Sequence, residues 1–331
     1  MQFDELVFCK VNSRLNNQIR IRFTSETLDT NTAKLAEGFA AICIFVHDNA
    51  SAEVLNILAS FGVTTIAMRC TNSNNIDLEA AKILNIKVLN VPVYSPRAIA
   101  EYAVGLMLTV VRKIPQSYNR VRQHNFSIEP FVGFDLYGKT VGLIGVGVIG
   151  RCVISILNGF GCKVIAFDAD YNTETEKELN FAYCGLDELI CESKVIFLFI
   201  PLIQQSHHII NSKSISTMQE KVVIINVSRG GLIDAEALVE GLVSGKIFGA
   251  GLDVFENGIE YAYKSWIGKR ITDKHLMRLV RMPHVVLTSY QSFLTEQSLS
   301  NIADVTITNI IAAMENHPNL NNVYQADKEA L

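Results

Sequence analysis

The stretch Gly145-Val146-Gly147-Val148-Ile149-Gly150 is where residue type and spacing first specify a chemistry in this sequence. It follows the apolar run at 141–144 and leads into a helical pattern, so its glycines stand at a strand-to-helix turn. In such a turn Gly145 permits the tight bend, Gly147 lets the backbone approach a pyrophosphate, and Gly150 lets the helix pack closely on the strand. The N–H groups at the start of the helix, around Val148 and Ile149, favour phosphate charge. The next strand-like run ends at Asp168, where a carboxylate suits a ribose 2′-hydroxyl. Ala169 and Asp170 follow it rather than an arginine, so a 2′-phosphate would meet negative charge. The expected cofactor is therefore NAD(H), not NADP(H). A lone Gly-x-Gly-x-x-Gly is a weak signal, and a glycine-rich turn that holds no ligand is the plainer alternative. The register with a strand, a helix and Asp168 favours the cofactor.

The flanking sequence supplies the elements such a site needs. Strand-like and helix-like patterns alternate in two segments, which predicts α/β layers. The first segment reads strand 41–46, helix 52–61, strand 64–69, helix 77–84 and strand 87–92. Ser95, with Pro96 in the first turn, then opens a long helix expected to reach about Arg122 with a kink at Pro115. The second segment reads strand 139–147, helix 148–160, strand 163–168, helix 186–192, strand 195–200, helix 213–218, strand 221–227, helix 235–244, strand 247–254 and strand 284–289. A last helix is expected from about Thr295 to Glu315. The long helix and the last helix flank the second segment, so a cofactor domain is expected to be inserted in a smaller one. The expected fold is α/β with two Rossmann/flavodoxin-like domains: an NAD-binding domain at 94–293, and a substrate domain at 1–93 and 294–331.

Composition excludes several function classes. With 331 residues the chain is long enough for two domains with full cores, and 49% hydrophobic against 19% charged residues is a globular composition. The formal charge is -4 and no basic block appears, which argues against nucleic acid or an anionic membrane as partner. The longest apolar run, 195–203, suits a buried parallel strand and is too short to span a bilayer. The opening MQFDELVFCK carries an early Asp and Glu and no apolar signal core, so no secretion signal is expected. Seven cysteines lie scattered without a CxxC pair, as in a reduced, cytoplasmic protein.

Several longer stretches resemble the D-2-hydroxyacid dehydrogenases, and among them the D-lactate dehydrogenase type. They are VPVYSPRAIAEYAVGLMLTVVRK (91–113), YGKTVGLIGVGVIG (137–150), INVSRGGLIDAEAL (225–238), GAGLDVFE (249–256) and HVVLTSYQSFLT (284–295). The resemblance covers nearly the whole chain and implies hydride transfer between a nicotinamide and a small 2-hydroxy or 2-oxo acid, by a homodimer with the helix after Ser95 in its interface. It implies that Arg229 binds the substrate carboxylate and that Tyr94 lies on the substrate side. It places Pro201, Val227, Ser228, Arg229 and Asp253 beside the cofactor. The family's catalytic His position is here Tyr290, and the position of the Glu that partners it is Gly258. Asn72 stands where the family's carboxylate-binding loop has a Gly, and Ile203 replaces a cofactor-side Thr. The resemblance also places the start of the chain at the family's first helix, without the small domain's opening strand.

Tyr290 has two readings. A phenol, with a reference pKa of about 10, can donate a hydrogen bond to a ketone oxygen but is a poor base near neutrality. Alternatively it is an aromatic filler. His284 is too distant along its strand to substitute, and His208 is expected against the cofactor. Glu256 and Glu260 flank Gly258, but have no expected histidine to orient. Arg229 is either the anion-binding group or one half of a structural ion pair. Three functions stay open: an NAD-dependent oxidoreductase of altered chemistry or substrate, a catalytically silent NAD-binding pseudoenzyme, or a non-redox enzyme reusing the site. Ordinary D-lactate dehydrogenase activity is expected to be weak or absent.

Overall fold

The computed structural model describes residues 2–317 and 321–324. The remainder of the predicted small domain, 318–320 and 325–331, lies outside the described residues. The chain forms two compact units, one comprising the residues up to Ser95 and those from Leu294 on, the other Pro96–Phe293.

The first unit opens with α1 (Gln2–Arg14) and continues through β1 (Ala41–Ile44), α2 (Ala52–Ser60), β2 (Thr65–Met68), α3 (Leu78–Ile83) and β3 (Lys87–Leu89). The three strands pair in parallel in the order β1-β2-β3. β2 is buried at every position, as a central strand covered on both faces must be.

The second unit contains α4 (Pro96–Val111), α5 (Ile114–Arg122), β4 (Thr140–Ile144), α6 (Val148–Gly159), β5 (Lys163–Phe167), α7 (Thr173–Leu179), β6 (Ala182–Tyr183), α8 (Leu186–Glu192), β7 (Val195–Leu198), α9 (Ser212–Thr217), β8 (Val222–Asn226), α10 (Ala235–Ser244), β9 (Ile247–Leu252), α11 (Lys274–Arg281) and β10 (Val285–Leu287). Its seven strands run parallel in the order β10-β9-β8-β7-β4-β5-β6. The order reverses between β4 and β7, which makes the ends of those two strands a topological switch point, where open parallel sheets bind ligands. β7 and β8 are buried throughout, and their apolar runs were the clearest strand signals in the sequence. Side-chain caps start the covering helices: Asp234 accepts from the N–H groups of Glu236 and Ala237 at α10, and Asn211 forms a capping box with Ser214 at α9.

The chain then returns to the first unit as α12 (Glu296–Met314), which packs on α1, β2 and β3. Phe8 and Val11 of α1 are buried with Ala303 and Ile307 of α12.

The long helix expected from Ser95 to Arg122 is two helices. α4 ends at Val111, Lys113 takes φ 52°, and Pro115 sits in the first turn of α5. A proline inside a helix would collide with the carbonyl four residues back, which here is that of Val111; the chain breaks before the collision. The strands expected at 41–46 and 87–92 end sooner, at Ile44 and Leu89. α7, β6 and α11 carry no counterpart in the sequence expectations.

Candidate active site

The loop after β4 is built as its glycines require. Gly145 takes φ 108°, and a Cβ there would lie 2.8 Å from the Phe199 backbone at the end of β7. A Cβ on Gly150 would strike the carbonyl oxygen of Gly145, so only glycine lets α6 start this close to the strand. Gly147, the N-cap of α6, faces open space: nothing lies within 4 Å of its Cβ position. The N–H groups of Val148, Ile149 and Gly150 are in the first turn, without intrahelical acceptors, and Val148 is exposed. This is a cradle for an anion at a helix N-terminus. Asp168, just past the end of β5, reaches over it: its Oδ2 accepts from the Val146 N–H at 2.6 Å and its Oδ1 from the Asp170 N–H at 3.2 Å.

Beside the cradle, two more loops are stapled together. The Ser228 hydroxyl donates to the Ile200 carbonyl at 2.8 Å, tying the loop after β8 to the loop that begins at Pro201. Buried Asn226 accepts from the Ser228 N–H and donates to the Arg229 carbonyl at 2.9 Å. Val227 is buried between them. The Arg229 guanidinium is exposed, donates only to the carbonyl of its neighbour Ser228, and meets no carboxylate among the described residues. The structural ion-pair reading of Arg229 thus finds no partner. Ile203 lacks a hydroxyl, and Ser206 supplies one within the same loop, accepting from the Ile203 N–H and donating to the Pro201 carbonyl.

Tyr290 follows β10 in a left-handed conformation, φ 53°, that a bulky side chain rarely adopts. The turn is held from three sides. Its N–H donates to the Asp253 carbonyl at 2.9 Å, and the Tyr263 hydroxyl donates to its carbonyl at 3.2 Å. The Asp253 carboxylate accepts from the Thr288 hydroxyl at 2.7 Å, the Gln291 N–H at 3.0 Å and the Ser292 N–H at 2.9 Å. Asp253 is only 1% exposed, and these three donors tie its carboxylate into the turn. The Tyr290 ring lies against Phe255 and Tyr263, with centroids 6.3 and 6.2 Å away. Its hydroxyl finds no hydrogen-bond partner among the described residues. Burial pushes the phenol up to about 12, with Asp253 adding to the rise and Arg229 opposing it. Arg229 is thus close enough to act on Tyr290, yet burial wins, and Tyr290 stays a neutral donor.

The comparisons with known proteins decide the family. A family model described as "D-isomer specific 2-hydroxyacid dehydrogenase, NAD binding domain" matches residues 104–292. The chain belongs to the D-isomer-specific 2-hydroxyacid dehydrogenases. The chain is 43% identical over 300 residues to a 2-hydroxyacid dehydrogenase homolog of Haemophilus influenzae, covering 91% of this chain and 90% of that protein. It is 41% identical over 309 residues to the D-lactate dehydrogenase of Escherichia coli, covering 93% of each. Among solved structures, the apo form of the Escherichia coli D-lactate dehydrogenase aligns with a TM-score of 0.89 at 39% identity, over 98% of this chain and 97% of that one. A D-lactate dehydrogenase of Lactobacillus jensenii solved with NAD+ aligns with a TM-score of 0.83 at 29% identity, over 97% and 96%. The cofactor is NAD, and the second unit is the Rossmann domain of the family.

The remaining expected residues take other partners. Tyr94 belongs to the first unit, where its carbonyl accepts from Asn301. Asn72 keeps a negative φ and turns its side chain inward, Oδ1 accepting from the Asn74 N–H at 2.8 Å. Gly258 is buried against Phe255. Glu256, left without a histidine in the sequence reading, has one: its Oε1 lies 2.6 Å from His208 Nε2, and its Oε2 accepts from the Ala235 N–H. That pair spans two loops and has no local signature. Asn226 was also missed, although a lone amide ending the apolar run Val222–Asn226 is a legible sign of a side chain with a task.

Proposed function

We propose that the protein is an NAD(H)-dependent oxidoreductase of a small 2-oxo or 2-hydroxy acid whose proton-donating group is Tyr290, with the family's His and Glu positions taken by Tyr290 and Gly258. The observation that carries this is the pairing, in one unit, of a guanidinium at Arg229 that meets no carboxylate among the described residues with a half-buried neutral phenol at Tyr290 whose hydroxyl is unspent. The open space at Gly147, the first N–H groups of α6 and the Asp168 carboxylate fit the pyrophosphate and ribose of NAD. When bound, the nicotinamide supplies the hydride. Arg229 grips the substrate carboxylate with two parallel hydrogen bonds, which fixes the carbonyl beside it. Tyr290 donates to the carbonyl oxygen, stabilising the charge that develops there. A phenol held near 12 does this better than it accepts a proton from an alcohol, so reduction is the favoured direction. Asn226 and Asp253 hold the two loops from which these side chains project.

A second reading, a catalytically silent NAD-binding protein, is favoured by one specific observation: Phe255 fills the space beside Gly258 and packs on Tyr290, as a closed site would. A non-redox enzyme reusing the site has no such support. A cytoplasmic location is part of the proposal; what supports it is the scatter of seven cysteines without a CxxC pair. No helix among the described residues is long and apolar enough to cross a membrane. A homodimer is part of the proposal. α4 is spent on α6, β8 and β9, whereas Ile114, Tyr118 and Val121 of α5, then Phe126, Ile128 and Val132, are exposed, and this segment offers the apolar surface a second copy would cover.

The deciding experiment is NADH titration followed by turnover with pyruvate and bulkier 2-oxo acids. The proposal expects NADH binding and NADH oxidation that Tyr290→Phe and Arg229→Gln each slow by at least about 100-fold. NADH binding without oxidation of any of these acids supports the silent reading instead.

A further inference from the structure

We propose that His207, His208 and Glu256 form a binding site for a divalent transition-metal ion of the zinc class, a set that shares no residue with the Arg229–Tyr290 pair. One ligand atom from each residue lies within 4.8 Å of the other two. The two imidazole rings are stacked, with centroids 3.8 Å apart and planes inclined by 28°. His208 and Glu256 are partly exposed and His207 is exposed, so an ion can reach all three.

Two neutral imidazoles and one carboxylate are a donor set for zinc, cobalt(II) or nickel(II), and too nitrogen-rich for magnesium or calcium. Three protein ligands leave an open coordination position, the pattern of exchangeable rather than purely structural sites. Ligand bonds of about 2.0–2.1 Å at a tetrahedral angle put neighbouring donors roughly 3.3 Å apart. His208 and Glu256 now share a hydrogen at 2.6 Å. An ion that replaces that hydrogen must widen the pair by about 0.7 Å and draw His207 inward, movements within side-chain reach.

The surroundings hold the ligands in place. The second carboxylate oxygen of Glu256 accepts from the Ala235 N–H at 3.1 Å, which anchors the acid while leaving one oxygen for an ion. The His208 N–H donates to the Gly231 carbonyl at 2.9 Å, and its own carbonyl accepts from Asn211 Nδ2 at 2.8 Å, so its backbone is fixed at both ends. Gly231 and Ala235 flank the segment that follows Arg229. A bound ion would therefore clamp the loop after β7 to the turn after β9, beside the anion-binding loop.

The test is calorimetric titration of the metal-free full-length protein with zinc chloride, repeated by the visible absorption of cobalt(II) alone. His207→Ala removes an exposed ligand, losing with it only the stack on His208, and Glu256→Gln removes the anionic one. The expected result is one tight site in the unaltered protein that each substitution weakens by at least about 100-fold, the upper end of what even an outer-sphere partner costs. Absence of a site in the unaltered protein overturns the proposal. So does a site whose affinity survives either substitution, since the ion would then be held by other groups.

Discussion

A Cβ placed on Gly258 would lie 2.9 Å from the ring of Phe255, so the phenyl ring already occupies the ground a side chain at 258 would need. Phe255 is buried and its ring faces Tyr290, which leaves it little room to turn away. On the proposed reading, glutamate and histidine cannot simply be put back. Gly258→Glu alone should cost about 1–3 kcal/mol of stability as an overpacked site. The double variant with Tyr290→His should gain less 2-oxo acid reductase activity than the triple variant that adds Phe255→Ala. Initial rates of NADH oxidation for the three proteins check this. A double variant as active as the triple would show that Phe255 yields freely.

Tyr290 gives a pH signature with a definite sign. Its phenol is raised from 10.0 to about 12 mainly by burial, so the folded state holds the proton more tightly than the unfolded chain. The stability this contributes is fully present below pH 10 and is lost as the pH rises through about 12. Tyr324, also raised to about 12 and donating to the Ile86 carbonyl, adds a similar alkaline loss from the other unit. Tyr290→Phe should flatten part of the alkaline limb of a denaturation profile, and Tyr290→Phe/Tyr324→Phe more of it. In turnover, Tyr290→Phe should lose about 10²- to 10⁴-fold in rate, as for a positioned proton donor. An unchanged rate would reduce Tyr290 to packing.

What the sequence disclosed, and what it hid, follows from the range of each interaction. The strands at 195–198 and 222–226 are runs of buried apolar residues, and the glycine loop between β4 and α6 is a local motif, so both could be read without a fold. Asp168 was legible because it ends the next strand. The environment of Tyr290 was not, since Asp253, Phe255 and Tyr263 come from the segment after β9 and impose a backbone conformation that no aromatic residue suggests. The His208–Glu256 pair was invisible for the same reason. α11 was missed because its apolar residues, Leu276 and Leu279, are set among Lys274, Arg278 and Arg281 and read as a charged loop. Asp253 was assigned to the cofactor from resemblance; its burial and its three donors in the Tyr290 turn carry no signature in the sequence.

Asp168 should decide the cofactor preference. Its carboxylate is anchored by the Val146 and Asp170 N–H groups, beside the loop that suits a pyrophosphate. Asp168→Ala removes the acceptor for the ribose hydroxyl and should weaken NADH by about tenfold, the worth of a hydrogen bond to a charged group. It should also narrow the gap between NADH and NADPH, because the charge that repels a 2′-phosphate is gone. Quenching of Trp266 or NADH fluorescence titration measures both constants. Equal NADH affinity in the two proteins would place the ribose elsewhere.

Asp253→Asn separates support of the turn from contact with the cofactor. The buried carboxylate accepts from Thr288, Gln291 and Ser292, and an amide can satisfy only some of these because its nitrogen would face a donor. Breaking a charged, buried set of this kind should cost about 3 kcal/mol, read from the urea midpoint of the second unit's transition. Freed from its clamp, Tyr290 would relax from φ 53° toward ordinary backbone angles, and its hydroxyl would leave the place from which it meets the substrate. Turnover should therefore fall while NADH affinity stays within about threefold, the range of substitutions remote from a ligand. The opposite pattern, normal turnover with weakened NADH, would return Asp253 to the cofactor and remove it from the Tyr290 turn.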